Sequence, residues 1–310
     1  MSKKFKILIL GYGEMGHAME HLLHKQHDLF IWDKYPQENF QSVSLEETAS
    51  SVDIVIFCLP VNPHQEIAEG IAPLLKPDCL CLSIAKGLDE AGHTAAEIFN
   101  LVFDQRQPYG LLYGPMISEE IRANRYAFAQ IACNKTEYTC VVEQLFSESI
   151  LFTEATTDID GISWSVILKN VYALVFGMAD ELKLGDNTRG FLAVVALHEL
   201  DEIVLQMGGE RYSPYHLAGL GDLITTATSE DSHHHELGRK LARDETQNIK
   251  GEGIHTLEMV NKYQLFNRAH FPLFDFIHNI VAAPKDVRQQ FDQYIKKQNA
   301  ANRTGLNKTI

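Results

Sequence analysis

FKILILGYGEMGHAMEHLLHKQ, residues 5–26, changes its periodicity once, and that change sets the fold. FKILIL is a short apolar run of strand length, whereas Met15, Met19, Leu22 and Leu23 recur at helical spacing. Between them stands Gly11-x-Gly13-x-x-Gly16. Gly11 suits a tight turn, Gly13 lets the backbone approach a pyrophosphate, and Gly16 allows close helix–strand packing. The diphosphate is then expected on the helix N-terminus, where Glu14 and Met15 lie. A glycine turn of no special function is the plain alternative. The strand before the motif, the helix after it and the acid that follows favour dinucleotide binding. That acid is Asp33, ending the run DLFIWD (28–33). A carboxylate there accepts hydrogen bonds from both ribose hydroxyls and repels a 2′-phosphate, so NAD is expected over NADP. A solvated loop aspartate is the other reading.

Further along the chain, short apolar runs at DIVIFCLP (53–60), CLCLSIAKG (79–87), YGLLYGP (109–115) and YAFAQIAC (126–133) alternate with helical text at about 63–75 and 90–103. This alternation predicts an α/β domain with a Rossmann-type, doubly wound parallel sheet. From about residue 158 two long segments of helical period follow with no strand between them, and helical spacing continues at 233–243, 255–266 and 271–298. The expected division is therefore a dinucleotide-binding domain over 1–155 and an all-helical substrate domain over 156–310. The polar tail 299–310 is expected to fray.

Of 310 residues 45% are apolar and 22% charged, which excludes disorder, collagen and coiled coil. The net charge of −14 argues against nucleic acid and anionic lipid as partners. The start MSKKFKILILGYG breaks into glycine too soon for a signal peptide or a membrane span. Five cysteines without a C-x-x-C pair, four of them in apolar runs, suit a reducing compartment, so a cytoplasmic protein is expected.

Three side chains are candidates for chemistry. Lys86 ends the fourth strand at its carboxyl edge, where ligands of open α/β sheets lie. Lys169 interrupts the apolar helix ISWSVILKNVYALVFGMA (162–179). A lysine buried there has a depressed pKa and can serve as an acid near neutrality; a lysine snorkelling to the surface is the alternative. Asp222, in GLGDL (219–223), either pairs with such a lysine or caps a helix.

The segments GYGEMG (11–16), SIAKG (83–87), YGPMISEEI (113–121), DIDGISWSVILKNVYALVFGMADELKLGDN (158–187), AGLGDLITTATS (218–229) and GEGIHTLEMV (251–260) occur in an order and spacing that resembles the NAD(P)-dependent glycerol-3-phosphate dehydrogenases. The resemblance spans about residues 5–280. It implies interconversion of sn-glycerol 3-phosphate and dihydroxyacetone phosphate by hydride transfer at C2, and a homodimer. It implies Lys169 as the proton-transferring lysine, Lys86 as the lysine of a T/S-K-G motif, and Asp222 as the acid orienting the catalytic amine. It further implies Gly114 as a backbone contact to substrate, Asn170 as the companion of Lys169, and Glu252 as a cofactor contact.

The chain departs from this pattern at the substrate end. Where the family usually carries S-R-N-R, this chain has Ser232-His233-His234-His235, and Met116 stands where a threonine or serine is usual. Loss of the arginine removes a permanently charged, bidentate partner for phosphate. Ser232, His233 and His234 are candidates for a reshaped anion site, or form a solvated helix start. Consecutive helical side chains point about 100° apart and cannot converge on one ion, so no metal is expected. His17, His21 and His24 are expected on a solvated helix face, and Glu199 and Glu202 on the outward face of LHELDEIV (197–204). Three readings follow: a glycerol-3-phosphate dehydrogenase with an altered phosphate pocket, a related dehydrogenase for another small hydroxy or keto compound, or an NAD-responsive binding protein without turnover.

Overall fold

The computed structural model describes residues 3–36, 40–104, 106–229, 232–245, 247 and 249–303. Among them a seven-stranded sheet has the order β2-β1-β3-β4-β5-β6-β7. Its strands are β1 (Lys6–Leu10), β2 (Asp28–Trp32), β3 (Ile54–Phe57), β4 (Leu80–Ser83), β5 (Tyr109–Tyr113), β6 (Ala127–Cys133) and β7 (Leu151–Ala155). The first five are parallel, with Ile7 of β1 opposite Leu29 of β2 and Ile54 of β3. The interleaved helices are α1 (Glu14–Leu23), α2 (Leu45–Ala49), α3 (His64–Ile71), α4 (Ala95–Phe103), α5 (Ser118–Arg122) and α6 (Thr139–Phe146).

Strand alternation separates two cores. Ile7 and Ile9 face α1, α5 and α6, whereas Leu8 and Leu10 face the side of α2, α3 and α4. Both faces of the central strands are covered, which is why those strands read as unbroken apolar runs.

The sheet is not wholly parallel, as the sequence suggested. β6 runs antiparallel to β5, and β7, which was not foreseen, pairs parallel with β6. The reason lies in the connector 114–126, whose only helix is the five-residue α5. Such a helix rises about 8 Å, too little to carry the chain back along strands roughly 20 Å long. β7, LFTEA, is masked by its own polarity: Phe152 is exposed and Glu154 stands on an edge strand.

The second half is helical: α7 (Ile159–Glu181), α8 (Asp186–Gln206), α9 (Asp222–Thr228), α10 (His233–Ala242), α11 (Glu252–Tyr263), α12 (Pro272–Ala282) and α13 (Val287–Arg303). α7 is its axis, with every residue from Gly161 to Ala179 buried. It is the one described helix long and apolar enough to cross a membrane, and that stretch lies wholly inside the protein. α10 crosses it in backbone contact: a Cβ on Gly238 would lie 2.1 Å from the Leu174 carbonyl, and one on Gly177 1.9 Å from that of His235. Only paired glycines permit such an approach, and it fixes where the histidine run falls.

Two expectations are corrected. The single helix expected over 271–298 is two, α12 and α13, parted around Pro284; α13 carries the tail as far as Arg303, and 304–310 lie outside the described residues. Glu199 does not face outward. It is buried and accepts the Leu273 and Phe274 backbone N–H groups, at 2.6 and 2.9 Å, and the Tyr172 hydroxyl at 3.0 Å. Glu199 thus caps the first turn of α12, supplying partners for amides that have none within the helix. Burial pushes its pKa up to about 7 against these three donors. Glu202 is partly exposed and meets Arg211 at 2.8 Å.

Candidate active site between the sheet and the helices

The glycine turn is built as its spacing requires. Gly11 has φ +92°, and a Cβ on Gly16 would lie 2.2 Å from the Gly11 carbonyl, so α1 starts tight against the turn. Beside Gly13 a Cβ would meet nothing within 4 Å, and no side chain caps α1 there, which leaves first-turn N–H groups to a ligand. Asp33 braces this loop: its Oδ2 accepts the Tyr12 N–H at 2.7 Å and its Oδ1 the Tyr35 N–H at 2.8 Å. Each oxygen keeps a lone pair for a ribose hydroxyl. Glu14 is turned aside to Arg122, at 2.8 Å, and Met15 packs on the sheet core. The residues of this loop therefore fit a dinucleotide.

Across the cleft, one carboxylate gathers two lysines. Asp222 Oδ2 lies 2.7 Å from Lys86 Nζ and 3.2 Å from Lys169 Nζ. Lys86 also donates to the Gly114 carbonyl at 3.0 Å, and Lys169 to Thr226 Oγ1 at 2.7 Å. Asp222 reaches this position because one π-helical turn, 217–221, delivers it to the start of α9, where the helix dipole favours negative charge. Thr226, one turn further on, donates its own hydroxyl hydrogen bond to the Asp222 carbonyl at 2.7 Å.

Burial sets the electrostatics. It pushes Lys169 down to about 8, against Asp222, which holds the amine up. Burial also works to raise Asp222, but the two ammonium groups outweigh it and its pKa ends below the usual carboxylate range. Lys169 thus keeps one N–H uncommitted on an amine poised near neutrality, as an acid–base group needs. Next to it in sequence, Asn170 donates from Nδ2 to Glu252 Oε2 at 3.0 Å and to the Lys86 carbonyl at 3.3 Å, while its buried Oδ1 has no partner among the described residues. An orphaned buried acceptor calls for a donor, such as one from a ligand.

These groups open onto a cavity of about 190 Å³ whose walls include Lys86, Met116, Lys169, Asp222, Thr226, Ser232 and His234. Among the described residues no arginine lines it, and Glu119 does. A family model described as "NAD-dependent glycerol-3-phosphate dehydrogenase N-terminus" matches residues 34–139, and one described as the C-terminus of the same enzyme matches 158–292. The chain belongs to the NAD-dependent glycerol-3-phosphate dehydrogenase family.

Relatives named glycerol-3-phosphate dehydrogenase [NAD(P)+] agree. That of Saccharophagus degradans is 28% identical, over 93% of this chain and 89% of its own length. That of Syntrophomonas wolfei is 27% identical, over 94% and 95%. The crystal structure of glycerol-3-phosphate dehydrogenase from Coxiella burnetii superposes with a TM-score of 0.81 at 23% identity, covering 94% of this chain and 99% of that one, and shows the shared fold.

In this glycerol-3-phosphate dehydrogenase family member Lys86, Gly114, Lys169, Asn170, Asp222 and Glu252 lie together, linked by the contacts given above. Ser232 caps α10 by accepting the His235 N–H at 3.3 Å. His233 and His234 point to the segment 250–253: His233 Nε2 lies 2.9 Å from the Lys250 carbonyl, and the Gly253 N–H donates to His234 Nε2 at 3.4 Å. His235 turns the other way and is buried on Asp180, at 2.8 Å, which Arg189 holds from its far side. His17 and His21 line an open cleft with Glu20 and Arg122 near exposed His24. Thr226 was missed; its spacing of four from Asp222 on a helix was the available signal.

Proposed function

We propose that the chain catalyses the NAD(H)-linked interconversion of dihydroxyacetone phosphate and sn-glycerol 3-phosphate. The observation that carries this reading is the buried Lys169 amine, its pKa near 8, held by Asp222 in the wall of a cavity. When bound, the nicotinamide supplies or accepts the hydride at C2 of the substrate.

The protein's own groups do the rest. Lys169 gives its proton to the carbonyl oxygen in reduction and takes it back in oxidation. Asp222 keeps that amine protonated and aimed, and Lys86, shared by the same carboxylate oxygen and the Gly114 carbonyl, supplies the second positive charge. Asn170 Oδ1 accepts from a ligand hydroxyl or amide. The His233 and His234 backbone N–H groups at the start of α10, which Ser232 caps, are offered to the phosphate, with Gly114 contributing backbone. Gly11, Gly13, Glu14, Met15 and Gly16 would hold the pyrophosphate and Glu252 the nicotinamide end, and Asp33 would favour NAD over NADP.

A second reading has support of its own. With Met116 and Glu119 on the cavity wall and no arginine among the described lining residues, a related hydroxy or keto compound without phosphate is the competing substrate. The test is NADH oxidation with dihydroxyacetone phosphate against unphosphorylated dihydroxyacetone. Turnover confined to the ester, and lost in Lys169→Met, is expected; turnover of the unphosphorylated compound alone would favour the second reading.

We further propose a division into domains near residue 155 and a cytoplasmic homodimer. The exposed Val194 and Leu205 on α8 support the dimer, and five free cysteines support the compartment. Sedimentation of the purified protein tests the oligomer.

A further inference from the structure

We propose that His233 and His234 are positioning residues for the cofactor side of the site, their rings gripping the backbone of 250–253 so that Glu252 stands against the loop after β4, and that neither ring ligates the substrate phosphate. This deepens the function proposed above and rests on NADH as the cofactor.

The two rings hold opposite kinds of group. His233 Nε2 faces the Lys250 carbonyl, an acceptor, so it must carry the proton. His234 Nε2 faces the Gly253 N–H, a donor, so it must be bare. Burial, helped by the Lys169 charge, holds the His234 ring far below its ordinary pKa, at about 3, which keeps it a neutral acceptor. One bond thus falls on each side of Glu252.

Glu252 carries the effect onward. Its Oε2 accepts from Asn170 Nδ2, which also donates to the Lys86 carbonyl. A Cβ on Gly87 would touch the Glu252 side chain at 3.7 Å, so Glu252 abuts the turn that follows Lys86. Both Asn170 N–H groups are spent in this way, and its Oδ1 has no partner among the described residues.

An arginine at position 234 could not play this part, because a guanidinium has no acceptor for the Gly253 N–H. A glutamine could, since its Oε1 extends about as far as Nε2.

The test is NADH binding to the full-length protein, followed by nicotinamide fluorescence without substrate, alongside KM for each substrate. His234→Ala is expected to weaken NADH binding about five- to tenfold, the effect of one lost hydrogen bond, and to change KM for dihydroxyacetone phosphate at saturating NADH by less than that factor. His234→Gln restores the affinity and His234→Arg does not. Should His234→Ala fail to fold, the Gln and Arg variants carry the same comparison. A His234→Ala protein with unchanged NADH affinity and a raised KM for dihydroxyacetone phosphate overturns the proposal. Equal loss in the Ala and Gln variants also overturns it, since packing and not the acceptor would then matter. If the wild type binds NADH but turns over no dihydroxyacetone phosphate, the substrate assignment fails, and the NADH titrations still decide the role of the histidines.

Discussion

Asp222→Asn should shift the acid–base behaviour of the site without altering its shape. The substitution removes a negative charge 3.2 Å from Lys169 Nζ and 2.7 Å from Lys86 Nζ. An opposite charge at such range raises an amine's pKa by about one to three units, so Lys169 should fall from about 8 to roughly 5–7. A fall of about two units cuts the protonated share at neutral pH about tenfold. Reduction of the ketone consumes the ammonium form, so wild-type reduction should decline as pH rises through about 8. In the variant that descending limb should lie one to three units lower, and neutral-pH reduction should be slower by about tenfold. Oxidation, which needs the free amine, should extend to lower pH. The assay is kcat in both directions across the pH range at saturating NAD(H), with thermal melts to confirm folding. A descending limb at the wild-type position would refute the assignment of Lys169 as the acid, and one displaced upward would refute the role of Asp222.

Other consequences follow from single contacts. Asp33→Asn removes the charge that repels a 2′-phosphate, so the ratio of NADPH to NADH affinity should rise by about tenfold or more, read by titration; an unchanged ratio means that Asp33 only braces Tyr12. Glu199 binds its proton more tightly folded than unfolded. Its stabilising contribution is therefore full below its ordinary value of 4.5 and lost as pH rises through about 7, a change on the order of 3 kcal/mol. Urea unfolding should show this slope in the wild type and its absence in Glu199→Gln.

The strand–turn–helix of residues 5–26 and the lysine in an apolar helix were readable because each depends on neighbours close in sequence. The same holds for the motif that delivers Asp222. Glu199 was misread because periodicity only says which side of α8 it occupies, while the amides it caps belong to Leu273 and Phe274. The groups that the His233 and His234 rings meet were hidden for a related reason: Lys250 and Gly253 lie beyond the turn that ends α10. The reversal at β6 was hidden because a short apolar run carries no record of its direction. Pairing depends on what the connector can span.

The charge set of this site is split between the two halves of the chain. Lys86 comes from the sheet half, Lys169 and Asp222 from the helical half, and a single carboxylate oxygen joins them. Neither half carries the whole set alone. A fragment holding Asp222 and Lys169 would lack the second cation, and one ending before α7 would expose Lys86 to solvent. Recombination at the natural seam would therefore generate new specificities only when the parents agree on this three-part match, so the catalytic charges themselves restrict which halves can be exchanged.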